Sequence, residues 1–157
     1  MKSFFVSVAT LFGCGRFPIA PGTVGSALGM LLYIAWIRNL APLAAAILMA
    51  FFVFSAVVIC DVAEKEIGEK DPGCIILDEF TAIPICFLGV QRFIHQGALP
   101  WAIPLLGFVL FRFFDVVKPL GIRKVQNLPG GIGIVADDVV AAVYTNIAII
   151  LICLTAL

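Results

Sequence analysis

Charged residues are scarce in this chain, and histidine is almost absent. Only 13% of the 157 residues are charged, ten basic residues balance ten acidic ones, and there is one histidine. A typical soluble domain carries about 25% charged residues, whereas 62% of this chain is hydrophobic. A small globule could not bury so much apolar surface, so the composition indicates an integral membrane protein with one domain over residues 1–157. No basic run is present, which argues against nucleic-acid binding.

Several motifs that define other chemistries are missing too. The five cysteines form no CxxC pair, so we expect small buried side chains rather than disulfides or zinc ligands. The chain has no P-loop and no DxDxT or DxDxV sequence. Because His95 is the only histidine, a mechanism that needs a nucleophilic histidine and a second one is excluded. Cys86 and Arg92 have the spacing of cysteine phosphatases, but no phosphate-binding glycine loop lies between them, so we attribute the match to chance.

Apolar stretches separated by polar turns predict a series of helices. A membrane span needs about 17–25 apolar residues, so the stretches 24–37 and 75–90 are short enough to be tilted or interrupted. We therefore expect an all-α, multi-helical integral membrane protein with about five hydrophobic helices and a short N-terminal helix within residues 3–13. The five candidate spans are 24–37, 42–60, 75–90, 99–117 and 139–157.

The distribution of lysine and arginine predicts the orientation of these spans. Segments 1–23, 61–74 and 118–138 would share one side, which carries seven basic residues against two on the other side. Lysine and arginine are enriched in cytoplasmic loops, so we expect the first side to face the cytoplasm. The motifs described next all fall on that side.

Five of the ten carboxylates lie inside or at the edge of strongly apolar segments. A charge at membrane depth is costly unless it is paired, bound to a metal or placed in a wet cavity, so such groups indicate a functional site. Carboxylate oxygens are preferred ligands of Mg²⁺, which also retains waters and phosphate oxygens. We therefore predict one shared Mg²⁺ site, although pairing of the first acids with Arg112 would also explain their position. The five acids are Asp78, Glu79, Asp115, Asp137 and Asp138.

The sequence FRFFDVVKP, residues 111–119, places charges of both signs on one helical face. Arg112, Asp115 and Lys118 are spaced three apart, which brings them onto the same side of a helix. Pro119 disfavours helical geometry at the preceding residue, so the helix is expected to end at Lys118. This stripe suits a site that binds a metal and a phosphate together, and a simple Arg112–Asp115 ion pair is the alternative.

The segment PGTVGS, residues 21–26, has the sequence of a turn that opens a helix. Thr23 is the expected N-cap and Ser26 the third helical residue, so the free N–H groups of the first turn could receive a phosphate. The alternative is that Gly25 and Gly29 simply allow close helix packing. The two interpretations are compatible.

A second glycine-rich segment, LPGGIGIVADDVV, covers residues 128–140. Its glycines are expected to form a turn that permits close approach of the backbone to a ligand. The following helix is expected to start near Asp137 and Asp138, and one of these acids could then be a helix cap. A cap alone does not explain why two acids stand there.

The segments PGTVGS, LDEF, FRFFDVVKPLGI and GGIGIVADD, in this order, resemble the phosphatidylglycerophosphatase A family over roughly residues 10–145. The resemblance implies a Mg²⁺-dependent enzyme of the bacterial inner (cytoplasmic) membrane, with its active site facing the cytoplasm. It also implies hydrolysis of phosphatidylglycerophosphate to phosphatidylglycerol and phosphate. The expected partners are this lipid and the bilayer.

With this resemblance, the candidate residues take three roles. The expected Mg²⁺ ligands are the five acids, and the expected catalytic residues are four of them: Asp78, Glu79, Asp115 and Asp138. Attack by water and formation of an aspartyl-phosphate both remain open. The residues expected to bind the substrate are Thr23, Ser26, Arg112, Lys118 and Lys124.

A small cation transporter or channel is the alternative from another functional class. Its acids would lie near the bilayer midplane, with charged access from both sides. Here the acids are predicted near the cytoplasmic ends of the helices, beside basic residues that suit an anionic substrate.

Overall fold

The computed structural model describes residues 4–96, 101–119 and 121–156, and every regular element in them is helical. The all-α prediction is therefore confirmed. The side chains of Arg92 and His95 lie outside the described part, so what was expected of them stays a prediction. The helices are α1 (Phe4–Ala9), α2 (Pro21–Ala35), α3 (Pro42–Ile67), α4 (Leu77–Ala82), α5 (Gln91–Gln96), α6 (Ala102–Val117), α7 (Ile122–Val125) and α8 (Gly130–Ala156), with 3₁₀ segments at Cys14–Arg16, Ile37–Asn39 and Ile83–Phe87.

Within the described residues, α3 and α8 are the two helices long and apolar enough to cross a membrane. Each offers a 26-residue stretch, which is about 39 Å long at 1.5 Å per residue, against a hydrocarbon thickness of about 30 Å. Large apolar side chains on α3 point outward, since Phe51 and Phe54 are 62% and 71% exposed. Such a surface is unfavourable in water and suits lipid. The protein is therefore membrane-associated.

Helix α8 begins at Gly130, so the predicted glycine-rich turn before a helix start near Asp137 is wrong. The reason is helix packing. A Cβ atom at Gly131 would collide with the carbonyl oxygen of Val57, so the missing side chain lets α8 lie directly against α3. This contact offsets the helix-propensity penalty of glycine, which is about 1 kcal/mol. Asp137 and Asp138 consequently lie inside a helix.

Helix α2 begins at Pro21 after the cap residue Ala20, so the prediction that Thr23 is the N-cap is wrong. Proline is favoured at the first helical position because its missing N–H is not needed there. The packing interpretation of the glycines is supported by their surroundings. A Cβ atom at Gly25 would lie 2.7 Å from the carbonyl oxygen of Ile76, so the bare backbone allows the start of α4 to approach α2.

The stretch 75–90 is interrupted, as its length predicted. Helix α4 gives way to the 3₁₀ segment around Pro84, which has no N–H to continue the α-helical pattern. Asn146 of α8 donates hydrogen bonds from Nδ2 to the carbonyl oxygens of Cys86 and Leu88, each 2.9 Å long. These bonds satisfy carbonyl groups that the broken helix leaves free.

Two apolar clusters hold the helices together. The larger one is centred on Tyr33, Phe87 and Phe111, all with 0% exposure, and the first two rings stack with centroids 4.5 Å apart. The second lies around Cys60 and Val135, between α3 and α8. Helix α4 contacts α2, α3 and α8, so its first turn is held where three helices meet.

Candidate active site

Five carboxylates from three helices line one cavity with a volume of about 160 Å³. Helix α4 supplies Asp78 and Glu79 in its first turn, and α6 supplies Asp115 near its end. Helix α8 supplies Asp137 and Asp138. The structure thus brings together all five acids that the sequence nominated as metal ligands.

Three of these acids form the tightest group. Carboxylate oxygens of Asp78, Glu79 and Asp138 all lie within 4.8 Å of one another. Asp78 and Asp138 are only 6% and 3% exposed. Adjacent side chains on a helix diverge by about 100°, yet Asp78 and Glu79 both reach this group. Buried carboxylates at such distances repel one another unless a cation or protons neutralise them.

Three carboxylate oxygens of the cavity residues are buried without a hydrogen-bond partner among the described residues. They are Glu79 Oε2, Asp137 Oδ1 and Asp138 Oδ1. A buried polar atom without a partner is destabilising, and coordination of a cation would remove that penalty. A donor set made of oxygens alone suits a hard divalent cation such as Mg²⁺ better than Zn²⁺. The residues therefore fit a metal ion.

Arg112 lies beside the cavity and connects α6 to two other helices. Its Nη1 atom is 2.6 Å from Oδ2 of Asp115 and 3.7 Å from Oε1 of Glu79. The same nitrogen donates a hydrogen bond of 3.2 Å to Oγ of Ser26. Ser26 in turn donates to the carbonyl oxygen of Gly22, at 2.8 Å. The Arg112–Asp115 ion pair, which the sequence analysis gave as the alternative to a phosphate site, is present within a larger polar network.

Gly22 allows this network to reach α2. A Cβ atom there would collide with the Glu79 carboxylate and lie 3.2 Å from both terminal nitrogens of Arg112. Gly22 is thus needed for the close approach of charged groups, a role that the sequence did not reveal. Thr23 is half-buried in the first turn of α2 and is not among the residues that line the cavity.

Lys118 supplies the positive charge that lines the cavity itself. Helix α6 ends at Val117, and Lys118 adopts φ 49° directly before Pro119, as predicted. Its Nζ forms an ion pair with Oδ2 of Asp137. Burial lowers the pKa of Lys118, but the hydrogen bond to Asp137 and the surrounding carboxylates outweigh it and raise the pKa above its ordinary value. Lys124 is exposed on α7, outside the residues that line the cavity.

Asp71 also lines the cavity; the family resemblance extended to it, but it was given no role in the predicted site. It stands in the turn between α3 and α4 with φ 49°, a left-handed conformation that aspartate adopts more readily than most residues. Its N–H donates to Oε1 of Glu64 at 2.9 Å, and its Oδ2 accepts from Nε2 of Gln126 at 2.8 Å. The DPG sequence at 71–73 signals a turn, but nothing in it shows that the turn faces the site.

The arrangement combines an acidic group able to hold a cation with two basic side chains at its edge. The acids alone would repel an anion, and the bases alone are largely neutralised by their acidic partners. A bound divalent cation would reverse this balance and make the cavity attractive to an anion with several oxygens. A phosphate ester is an anion of this kind.

Comparison with known proteins agrees with this chemistry. A sequence model of the family "Phosphatidylglycerophosphatase A" matches residues 7–153. A Bacteroides thetaiotaomicron protein with the provisional name phosphatidylinositol-3-phosphatase is 38% identical over 92% of this chain and 90% of its own length. Proteins named Phosphatidylglycerophosphatase A are 34% identical in Haemophilus influenzae (90% of this chain, 84% of that protein) and 34% in Escherichia coli (88% and 77%). No solved structure gives a significant match.

Proposed function

The chain belongs to the phosphatidylglycerophosphatase A family and is a phosphatase, and from this premise we propose that it is a Mg²⁺-dependent lipid phosphatase. It hydrolyses phosphatidylglycerophosphate to phosphatidylglycerol and phosphate. The site faces the cytoplasm in the bacterial inner membrane. The substrate follows from the names of two relatives, and the orientation follows from the excess of basic residues on the site's side of the chain.

One observation carries the proposal: buried carboxylate oxygens without partners belong to a cluster of acids that share one cavity. Asp78, Glu79 and Asp138 would hold the ion directly, because their oxygens are mutually closest. Asp115 and Asp137 already form ion pairs with Arg112 and Lys118, so they would contribute mainly by holding these two basic side chains in place. When bound, Mg²⁺ supplies a Lewis acid that polarises the phosphoryl group and offsets developing negative charge.

The chain's own residues then bind the phosphoryl group, orient the attacking water and transfer its proton. Arg112 and Lys118 neutralise phosphoryl oxygens, since catalysis of phosphoryl transfer rests on positioning and electrostatic stabilisation. Asp78 or Asp138 orients a water molecule and accepts its proton as the water oxygen attacks phosphorus. The bond from phosphorus to the ester oxygen breaks, and the glycerol oxygen leaves and takes up the proton that the aspartate releases, which restores the carboxylate.

A phosphatidylinositol 3-phosphatase activity is the second candidate, because the relative with that provisional name is 38% identical. Both substrates are phosphomonoesters on a lipid, so the metal and phosphate chemistry is the same. They differ in the group that carries the phosphate, a glycerol in one and an inositol ring in the other.

A transporter fits the structure less well. The core that joins α2, α6 and the segment after α4 is apolar and closed around Tyr33, Phe87 and Phe111, each with 0% exposure, and does not form a charged path. The acids instead lie near the end of α6 and the start of α4, where lipid headgroups would be within reach.

The experiment is phosphate release by the purified protein from mixed micelles that contain one lipid at a time. Phosphatidylglycerophosphate, phosphatidylinositol 3-phosphate and phosphatidic acid are compared at equal surface concentration. We expect kcat/KM to be higher for phosphatidylglycerophosphate than for the other two lipids. A higher value for the inositol lipid would favour the second candidate, and release from none of the three would reject a lipid phosphatase.

A further inference from the structure

A second, larger cavity lies between α2 and α6, with a volume of about 550 Å³. This volume is in the range of pockets that enclose small organic ligands, roughly 300–1,000 Å³. Among the described residues, those that line it are apolar except Arg38 at one end. We call it the α2–α6 groove; its lining residues include Ala27, Leu31, Ile34, Trp101, Leu105 and Phe108.

The groove continues directly from the site described above. Met30, which lines it, stands one helical turn after Ser26 on the same face of α2. Phe108 stands one turn before Arg112 on the same face of α6. The hydrogen bond between Arg112 and Ser26 therefore crosses from α6 to α2 where the polar site ends and the apolar groove begins.

The far end of the groove has the character of a membrane interface. Trp101, just before α6, lines the groove there, and Trp36 directly follows the end of α2. Trp101 is 60% and Trp36 is 74% exposed, and tryptophan is enriched at the interface between lipid and water. Helix α2 has 15 residues and is thus about 22 Å long. A groove along this helix would extend over most of a hydrocarbon layer about 30 Å thick.

The groove is also open at its side, because Leu31 and Leu105 on its rim are 61% and 55% exposed. An apolar groove that begins beside the candidate phosphate site and is open along its side suits a long, flexible apolar ligand. We propose that the α2–α6 groove binds an acyl chain of the lipid whose phosphate lies beside Arg112. This inference rests on the proposed function and adds the part of the substrate that the site recognises away from the phosphate.

The direct test is photolabelling of the wild-type protein in liposomes. The probe is phosphatidylglycerophosphate with a diazirine in the middle of one acyl chain, and the labelled residues are located by mass spectrometry. We expect labels in α2 and α6 on the groove, removed by excess unlabelled phosphatidylglycerophosphate and not by phosphatidylcholine. Labels spread equally over the outward face of α3, or insensitive to the competitor, would overturn the proposal.

A substitution that fills the groove gives a second test. Ala27→Trp should raise KM for dipalmitoyl phosphatidylglycerophosphate about tenfold, the effect of losing contact with roughly two methylene groups. The rate constant kcat should stay nearly unchanged, because the chemistry lies elsewhere. Ala50→Trp, at an exposed position of α3, is the matched control and should leave KM unaltered.

The outcomes separate this inference from the proposed function. If the wild-type protein releases no phosphate from the lipid, the proposed function fails. If it releases phosphate but Ala27→Trp has the same KM and the groove is not labelled, only the acyl-chain site fails. If Ala27→Trp instead changes self-association in detergent without changing KM, the groove is an interface between copies of the chain, and the proposal is overturned.

Discussion

At the scale of single residues, Arg112 shows how one side chain can serve both structure and substrate. Its guanidinium already contacts Ser26, Glu79 and Asp115, so it is held in one orientation before any ligand arrives. A planar guanidinium can bind two oxygens at once, whereas the ammonium group of lysine acts as a point charge. The position of Arg112 between the cavity and the α2–α6 groove places it where a lipid phosphate would join its acyl part.

The first prediction is that Arg112→Lys lowers kcat/KM for phosphatidylglycerophosphate by about 10–100-fold, because hydrogen bonds to a charged group contribute about 1.5–3 kcal/mol. The measurement is steady-state phosphate release. Arg123→Lys is the matched control, since Arg123 is exposed on α7. Its Nη2 donates a long hydrogen bond of 3.5 Å to the carbonyl oxygen of Val117. Equal activity of the Arg112 variant and the control would show that this guanidinium does not bind the phosphate.

The second prediction concerns the crowded acids. Asp138→Asn keeps the shape of the side chain but removes a ligand charge, so turnover should fall by about 10²–10³-fold. The same change relieves repulsion among Asp78, Glu79 and Asp138, whose oxygens lie within 4.8 Å of one another. In chelator, the variant should therefore melt at the same temperature as the wild type or higher.

Addition of Mg²⁺ should raise the melting temperature of the wild type and leave that of Asp138→Asn nearly constant, because an ion stabilises only a protein that binds it. Glu66→Gln, at an exposed position of α3, is the control and should respond to Mg²⁺ like the wild type. An equal Mg²⁺-induced shift in the Asp138 variant would remove this residue from the metal site.

At the scale of helices, the broken segment after α4 depends on α8 for its hydrogen bonds. The third prediction is that Asn146→Ala lowers the melting temperature by about 3–10 °C, because it leaves the carbonyl oxygens of Cys86 and Leu88 without their donor. Thermal unfolding in detergent is the measurement. Thr155→Ala is the control, since the Thr155 hydroxyl only bonds backbone carbonyls of its own helix. A melting temperature equal to that of the control would mean that these bonds add no stability.

Helix content could be predicted from the sequence, whereas some helix starts could not. The stretch 75–90 was short for a membrane span, so its interruption was foreseeable from its length, whereas the break at Pro84 was not. The start of α8 was not foreseeable either, because Gly131 has the sequence signature of a turn and its actual role depends on contact with Val57 of α3. Local propensity favoured the turn, and tertiary packing overrode it.

The candidate site also has a part that the sequence predicts and a part that depends on tertiary contacts. Carboxylates in apolar sequence indicate a shared site without any knowledge of the fold, because burial of a single charge is so unfavourable. The contact of Gly22 with the Glu79 carboxylate and the Arg112–Ser26 hydrogen bond join residues far apart in the chain. The place of Asp71 likewise depends on Glu64 and Gln126, which its own sequence neighbourhood does not identify.

At the scale of the whole molecule, the proposed chemistry takes place in one acidic cavity and uses none of the cysteines. All five thiols are free, and Cys60, Cys86 and Cys153 are buried. The fourth prediction is that a variant with all five cysteines replaced by alanine retains turnover within about threefold, since no thiolate nucleophile is used. Phosphate release is measured beside the melting temperature, so that a loss of folding is recognised. A folded but inactive Cys86→Ser variant would revive a cysteine mechanism.

In the proposed function, the carboxylates of one cavity bind Mg²⁺, and the protein uses this ion to hydrolyse a lipid phosphomonoester. The most direct measurement is the initial rate of phosphate release from phosphatidylglycerophosphate by chelator-treated protein as Mg²⁺ is added back, for the wild type and for Asp138→Asn. We expect a background rate of phosphate release without metal. Added Mg²⁺ should raise the rate of the wild type until it saturates and should hardly raise that of the variant. A wild-type rate that is unchanged by removal of the metal, or an equal rise in both proteins, would contradict the proposed function.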